Sequence, residues 1–323
     1  MMSNEIDKLF KLIRRYEVEE IIRFCSFFSY KNIGVAETFD VDDRSSIFPW
    51  ELDSLLLIKI FCGDAVGNVN ELTKRKFIEL IEYIREYDLV RKMNETSRDA
   101  YDSIYLIANN QFVYQIDYRV LLYRSNFFYT FSSGNLDMEK EFKGRFGVAP
   151  KDCHVVLLMI HLLMNAYKND MGKFQDVFHQ LLSNSTVTDV IALFTISVNN
   201  LRNLLKEKFD KPELLVFSNF YLKTFCFLEN NNDLFITFPH NVMYSMTYGA
   251  LYRLTENNNE LRDLFGKEVL ENYIYHLLEI SEGFVDIKKE QEYFFRKNRL
   301  KTPDVAALTF NQILFVESKS VLR

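Results

Sequence analysis

Only ten glycines and five prolines punctuate the 323 residues, against usual usage of roughly 7% and 5%. Glycine supplies positive φ and proline ends regular structure, so a chain this poor in both has few tight turns at its disposal. Many-turned sandwiches and barrels and Gly-rich nucleotide loops are therefore disfavoured, and a mainly α fold is expected. With 48% hydrophobic and 26% charged residues, the chain has ample material for a core and is not disordered. At about 150 residues per domain, its length suggests two domains. The 30 Phe and 18 Tyr read as packing between helices.

Apolar residues recur at helical spacing through most of the sequence. Ser3 can cap a helix carrying Ile6, Leu9, Phe10, Ile13, Val18, Ile21, Ile22, Cys25 and Phe28. Further helical patterns cover Glu51 to Phe61, Val69 to Leu89, Asp152 to Tyr167, Lys173 to Leu182, Val187 to Phe209, Pro212 to Leu228, Asn241 to Leu254 and Glu260 to Ile280. The triplets Asn230-Asn231-Asn232 and Asn257-Asn258-Asn259 are expected to break the later helices. Tyr101 to Phe131 is aromatic and β-branched enough for strands, with helix the preferred reading. No solenoid consensus recurs at fixed period, so residues 1–258 are expected to form a large irregular helical sensor or interaction domain.

Net charge of −6 argues against a globally basic nucleic-acid coat, while leaving room for a local basic face. The N-terminal MMSNEIDKLF lacks the layout of a signal peptide. The longest apolar stretch, Val155 to Met164, is broken by His161 and falls far short of the about 20 residues that cross a bilayer. A cytoplasmic protein without membrane contact is expected. Cys25, Cys62, Cys153 and Cys226 show no CxxC or Cys/His spacing and read as buried, reduced thiols. His154 and His161, seven residues apart, lack the HExxH pattern and read as core or boundary residues. GxSxG, Walker A and GxGxxG motifs are missing as well.

The character changes near residue 300. Val305 to Phe310 and Ile313 to Lys319 are short apolar runs flanking Asn311-Gln312, the pattern of a β-hairpin. With Asn311-Gln312 as a two-residue turn, Asp304 is expected opposite Lys319, and Ala306 opposite Glu317. Asp304, Ala306, Glu317 and Lys319 then share a face, with Asp304 and Glu317 diagonal at about 7–8 Å between backbones. Two acids and a lysine at one end of a buried hairpin are costly unless they coordinate something or pair together. An ion-pair cluster at a sheet edge would satisfy them too.

Pro303-Asp304, twelve intervening residues and Glu317-Ser318-Lys319 resemble the motif of the PD-(D/E)xK nuclease superfamily, including its proline and its hairpin. Glu141-Phe142-Lys143 and Asp286-Ile287-Lys288 match the short [D/E]xK pattern too, but neither follows a Pro-Asp by one hairpin. The resemblance covers about the last 60 residues, so residues 259–323 are expected to begin an α/β restriction-endonuclease-like core. It implies Mg²⁺ or Mn²⁺ held by Asp304, Glu317 and the Ser318 carbonyl, with Lys319 positioning the attacking water. The family places a helix before its first core strand, often with an inward acid. The segment Gly266 to Ile274 resembles that helix, with Glu271 as the added acid. DNA is the expected substrate. By analogy with restriction-like and phage-defence nucleases, the helical domain would recognise a substrate, a partner or an infection signal, with a protein partner or a second copy of the chain bound through it. The alternative is a non-catalytic helical scaffold with an inactive or split nuclease-like tail.

Asp286 to Lys301 holds six basic residues, Lys288, Lys289, Arg296, Lys297, Arg299 and Lys301, against Asp286, Glu290 and Glu292. Such a segment could hold substrate phosphates. A PD-(D/E)xK core also needs a crossover helix and a further strand after Glu-x-Lys, and a crossover takes about a dozen residues or more. The 323 residues alone are therefore expected to be an inactive, incomplete nuclease core, unless Tyr101 to Phe131 completes the sheet in permuted order.

Overall fold

A computed structural model of the chain describes residues 2–31, 47–63, 70–86, 117–134, 136–209 and 220–317. In chain order its elements are α1 (Met2–Ile13), α2 (Val18–Lys31), α3 (Pro49–Cys62), α4 (Lys74–Glu86), α5 (Tyr118–Thr130), β1 (Ser132–Ser133), β2 (Leu136–Asp137), α6 (Met138–Phe146), α7 (Pro150–Ala166), α8 (Met171–Leu181), α9 (Ser185–Leu193), β3 (Thr195–Ser197), α10 (Val198–Lys208), α11 (Phe220–Thr224), β4 (Phe227–Asn230) and β5 (Asp233–Ile236). Next come α12 (Pro239–Tyr244), a π turn (Ser245–Gly249), α13 (Ala250–Thr255), α14 (Asn259–Leu264), a second π turn (Phe265–Leu270) and α15 (Glu271–Glu279). The chain then runs through β6 (Asp286–Lys289), β7 (Glu292–Phe295), β8 (Asn298–Lys301), β9 (Val305–Leu308) and β10 (Ile313–Val316). The fold is mainly helical with small sheets, as the shortage of Gly and Pro requires. Among the described residues, no single helix is long and apolar enough to cross a membrane.

Two compact units result, Met1–Leu121 with Asp152–Ala250, and Leu122–Lys151 with Leu251–Arg323. The second unit begins before the expected 258/259 boundary and takes in residues 122–151, whose aromatic side chains supply its core.

In the first unit, α3 is buried on nearly every side, the signature of a central helix. Leu52, Leu55, Leu56 and Ile60 of α3 pack with Leu9 and Ile13 of α1, Ile21 and Ile22 of α2, Phe77 and Leu80 of α4, and Leu201 of α10. Pro49 opens the helix where a missing N–H costs nothing, and Glu51 accepts from the Phe48 N–H at 2.8 Å. The single helix expected from Ser3 to Phe28 is instead two. Its periodicity runs unbroken, but the chain turns at residues 14–17, where the Tyr16 carbonyl accepts from Lys59 Nζ at 2.5 Å and the Arg15 carbonyl from the Asn70 N–H at 2.9 Å.

Strands interrupt two other expected helices. The Val187 to Phe209 pattern divides into α9, β3 and α10, with β-branched Thr195 and Ile196 pairing parallel to Phe227 and Leu228. Of Pro212 to Leu228, only Phe220–Thr224 is helical among the described residues, residues 210–219 lie outside them, and Phe227 and Leu228 belong to β4. Asn231 and Asn232, expected to break helices, instead form the two-residue β4–β5 hairpin turn at φ 52° and 69°. Asparagine tolerates that left-handed backbone. Asn257-Asn258 does separate helices, Asn258 Oδ1 capping α14 by accepting from the Leu261 N–H at 3.0 Å. Gly249 ends the first π turn against α11, where a Cβ would stand 2.6 Å from Thr224 Cα. Only glycine permits that approach.

In the second unit α5 confirms the helical preference for its part of Tyr101 to Phe131, whose residues 101–116 lie outside the described ones. Phe128 meets Phe265 and Tyr273 edge-on at 5.0 and 5.2 Å, while Phe127 stacks on His276. This aromatic core fixes the start of α15.

Candidate acidic site and its β-ribbon

Glu271 is the first residue of α15 and follows directly on the second π turn, where Phe265 and Val269 are buried. Helix α15 packs across β6 and β9, whose buried Val305 and Ala307 alternate with half-buried Ala306 and Leu308. Lys289 of β6 donates to Asn272 Oδ1 at 2.5 Å and sits 4.5 Å above the Tyr275 ring, tying strand to helix.

Strands β6 to β9 form one long antiparallel ribbon with a fault. Lys289 pairs with Val305, and the next regular pair is Glu292 with Lys301. Between them Glu290 and Gln291 face Thr302, Pro303 and Asp304, so the returning strand carries one extra residue. The Glu290 N–H donates to the Asp304 carbonyl at 2.9 Å, the Gln291 N–H to Thr302 Oγ1 at 2.7 Å, and the Thr302 N–H to the Gln291 carbonyl at 2.9 Å. Pro303, with no N–H to give, occupies the bulge. Bulges of this kind re-aim neighbouring side chains, and this one brings Asp304 level with Glu290.

The carboxylates there share a field. Burial pushes the Glu271 carboxyl up to about 7, with Asp304, Glu290 and Glu268 adding to the effect and Lys267 opposing it. Lys301 Nζ donates to Glu290 Oε1 at 2.7 Å. That bond, the Glu290 charge, and more distant Glu292 and Glu271 hold the Lys301 ammonium above its ordinary value. Glu290, counted in the sequence only as a charge against the basic run, is thus part of the cluster. The slip in alternation at Thr302-Pro303 was its only signal.

The register between β9 and β10 differs from expectation. Ile313 pairs with Leu308 and Val316 with Val305, so the loop is the four residues Thr309 to Gln312 rather than Asn311-Gln312 alone. Thr309 closes it, its hydroxyl accepting from the Gln312 N–H at 3.0 Å and its own N–H donating to the Gln312 carbonyl at 2.9 Å. A shift of two residues preserves the faces but changes the partners. Ala306 meets Phe315 instead of Glu317, and the register continued by one pair sets Glu317, instead of Lys319, level with Asp304. Asp304 is half-buried and Glu317 exposed. Ser318 and Lys319 lie outside the described residues.

Three of the six basic side chains expected to face DNA are engaged by the three acids of their own segment. Lys288 pairs with Asp286 at 3.2 Å, Lys301 with Glu290, and Arg299 with Glu292. Lys289 lies against α15, and Arg296, at φ 60°, and Lys297 form the β7–β8 turn.

An all-oxygen donor set of Glu271, Asp304, Glu290 and Glu317 suits a hard divalent cation. Among the described residues, no three His, Cys, Asp or Glu side chains stand close enough together to hold one.

In the first unit, Asp53 lies 3.8 Å from His240, while burial pushes Lys223 down to about 8 against the opposing charge of Asp53. A cavity of about 510 Å³ is lined by Ile191, Thr195, Ser197, Asn200 and Glu229. Burial raises all four thiols, Cys62 to about 11 and Cys153 and Cys226 to about 12. All four are free thiols, Cys62 only half-buried where full burial was expected. Burial likewise pushes His154 down to about 4, in keeping with a core histidine. Comparison of the chain with family models, with curated proteins and with solved structures returns no match.

Proposed function

We propose that the chain is a metal-dependent nuclease of PD-(D/E)xK type, built to cleave DNA phosphodiester bonds. One observation carries the reading. The Pro303-Asp304 pair forms a bulge in an antiparallel meander beside the helix that presents Glu271, whose carboxyl is raised first by burial and then by the Asp304 charge. Helix α15 followed by β6, β9 and β10 in sheet order β10-β9-β6 supports the helix-then-strands arrangement that the motif implies.

In this reading Asp304, Glu317 and the Ser318 carbonyl hold Mg²⁺ or Mn²⁺, with Glu271 as an additional acid and Lys319 orienting water. The bound ion supplies a Lewis acid for the phosphoryl group. Like charges raise one another's proton affinity, so Asp304, Glu290 and Glu271 form a field that a divalent cation relieves. Lys301 already neutralises part of that field through Glu290. Because no three described ligands are gathered at coordination distance, binding has to draw them together.

Plasmid, linear and single-stranded DNA and RNA incubated with Mg²⁺ or Mn²⁺ test the reading. Asp304→Ala is expected to lower cleavage by about 10³-fold, roughly 4 kcal/mol of transition-state stabilisation, with an unchanged melting temperature. Wild-type activity that survives in Asp304→Ala refutes the mechanism.

The second reading, a scaffold with an inactive or split nuclease-like tail, draws on β10. Ile313, Leu314 and Phe315 are exposed on this edge strand, as is Phe310 in the loop before it, and such an edge invites another strand. Calorimetric titration with Mn²⁺ separates the two. A site lost in Asp304→Ala supports the nuclease, and no site in the wild type supports the scaffold.

A further inference from the structure

The β7–β8 arm carries an aromatic ring that the fold does not use. Phe294 is 76% exposed, although it sits inside a strand directly across from Arg299. Opposed residues, and residues two apart on one strand, share a face. Phe294 therefore shares a face with Arg299, Glu292 and Lys301, and Lys301 reaches Glu290. From Phe294 to Glu290 is four residues along one strand, about 13 Å at roughly 3.3 Å per residue. The ring thus projects on the side of the ribbon that leads to the acidic cluster, within a few nucleotides' reach of it.

We propose that Phe294 is a nucleobase-stacking residue, holding an unpaired base of a nucleic-acid strand whose neighbouring phosphates lie along Arg299 and the β7–β8 turn toward the Glu290–Asp304 bulge. This rests on the nuclease reading and narrows its substrate to nucleic acid with unpaired bases near the cut. A phenyl ring has no hydrogen-bonding group, so it reads the face of a base and not its edge. Base faces in a duplex are covered by their stacked neighbours, whereas a single strand, gap or fork leaves them open, and stacking there tolerates any sequence.

Charge complementarity favours a polyanion over a protein surface. Residues 286–301 hold six basic side chains against three acids, a net of +3 within a chain of net charge −6. Lys297 lies in the turn that ends the arm, and Glu292 holds the guanidinium of Arg299, the residue paired with Phe294 across the arm. The apolar residues of β10 have no such cations among them, and nothing shows what covers that edge.

Phe294 is a positioning residue in this account, and binding tests it apart from cleavage. The full chain is titrated, in EDTA so that nothing is cut, into a short fluorescein-labelled single strand and into a blunt duplex of the same sequence. Phe294→Ala is expected to weaken single-strand binding roughly tenfold, the low end of what one stacked base contributes. Phe294→Trp should restore it, and duplex binding should move by less than about twofold.

Three results overturn the proposal. They are Phe294→Ala binding the single strand as tightly as the wild type, Phe294→Ala weakening duplex and single strand equally, and Phe294→Ala dissolving a wild-type dimer in sedimentation, which makes the ring a protein contact. Failure of the nuclease reading shows separately, as a Mn²⁺ site that is missing from the wild type in calorimetric titration or that survives in Asp304→Ala.

Discussion

The first unit and the β-ribbon of the second use charge in opposite ways. Lys59 of α3 is fully buried, and its ammonium donates to the Tyr16 and Gly63 carbonyls at 2.5 and 2.8 Å. Glu51 on the same helix is also buried and receives Arg85 through both carboxylate oxygens, at 2.5 and 3.0 Å. In the ribbon, Asp286–Lys288, Glu290–Lys301 and Glu292–Arg299 are cross-strand or neighbouring pairs with side chains 30–65% exposed. A buried charge cannot lose its partner cheaply, whereas an exposed pair contributes about 0–1 kcal/mol. The buried charges of α3 therefore hold the fold. Stability does not require those of the ribbon, which leaves them available for binding and chemistry.

Breaking the buried side of that contrast has the largest expected effect. Lys59→Ala strands two carbonyls inside the core and opens a cavity beside α3, for an expected loss of about 3–5 kcal/mol. Urea unfolding followed by circular dichroism measures it. A loss below about 1 kcal/mol would place the Lys59 ammonium in water and remove the difference between the two regions.

The helical part was legible because burial imposes a period that apolar residues repeat. α3, α4, α7, α8 and α14–α15 fall within a few residues of their expected spans. Short strands were not legible. Thr195 to Ser197 and Phe227 to Asn230 are too brief to show alternation, and their apolar residues also fit the helical pattern on either side. The hairpin of β9 and β10 was visible as two apolar runs, but its register was not. Asn311-Gln312 looks like a tight turn, and the Thr309 hydroxyl closes a longer loop, a local bond that no hydropathy pattern carries. At the candidate site, Glu271 was singled out from its helix, and the structure brings it into the field of Asp304. Glu290 escaped because its role comes from a one-residue bulge. The basic run was read by composition, which does not show that half of it meets acids of the same segment.

Glu271 sharpens the comparison through pH. Its folded carboxyl is raised to about 7 from a model-peptide value near 4.5, so the native state binds the extra proton between those values. Stability is then greatest below about pH 4.5 and falls as pH rises toward 7, the reverse of a salt-bridged carboxylate. Glu271 is half-buried, and screening by the solvent it still meets reduces the cost of its charge to about 1 kcal/mol. Glu271→Gln should remove that decline, raising the melting temperature at pH 8 by a few degrees and leaving it unchanged at pH 4.5. Parallel melting curves for the two proteins across this range would discredit the shared field.

The smallest expected effect on stability belongs to Glu292→Gln. The Glu292–Arg299 pair is solvent-exposed on both sides, 42% and 65% by side chain, so neutralising Glu292 should change the unfolding free energy by less than about 0.5 kcal/mol. The same substitution frees one guanidinium on the face that carries Phe294. If phosphates run along that face, oligonucleotide affinity should rise at low salt, and the slope of log K against log salt should steepen by about 0.7 for a single strand, the contribution of one additional phosphate contact. A stability loss of 2 kcal/mol or more would instead make Glu292–Arg299 a structural pair like Glu51–Arg85. An unchanged salt slope alongside unchanged stability would take nucleic acid off this face of the ribbon.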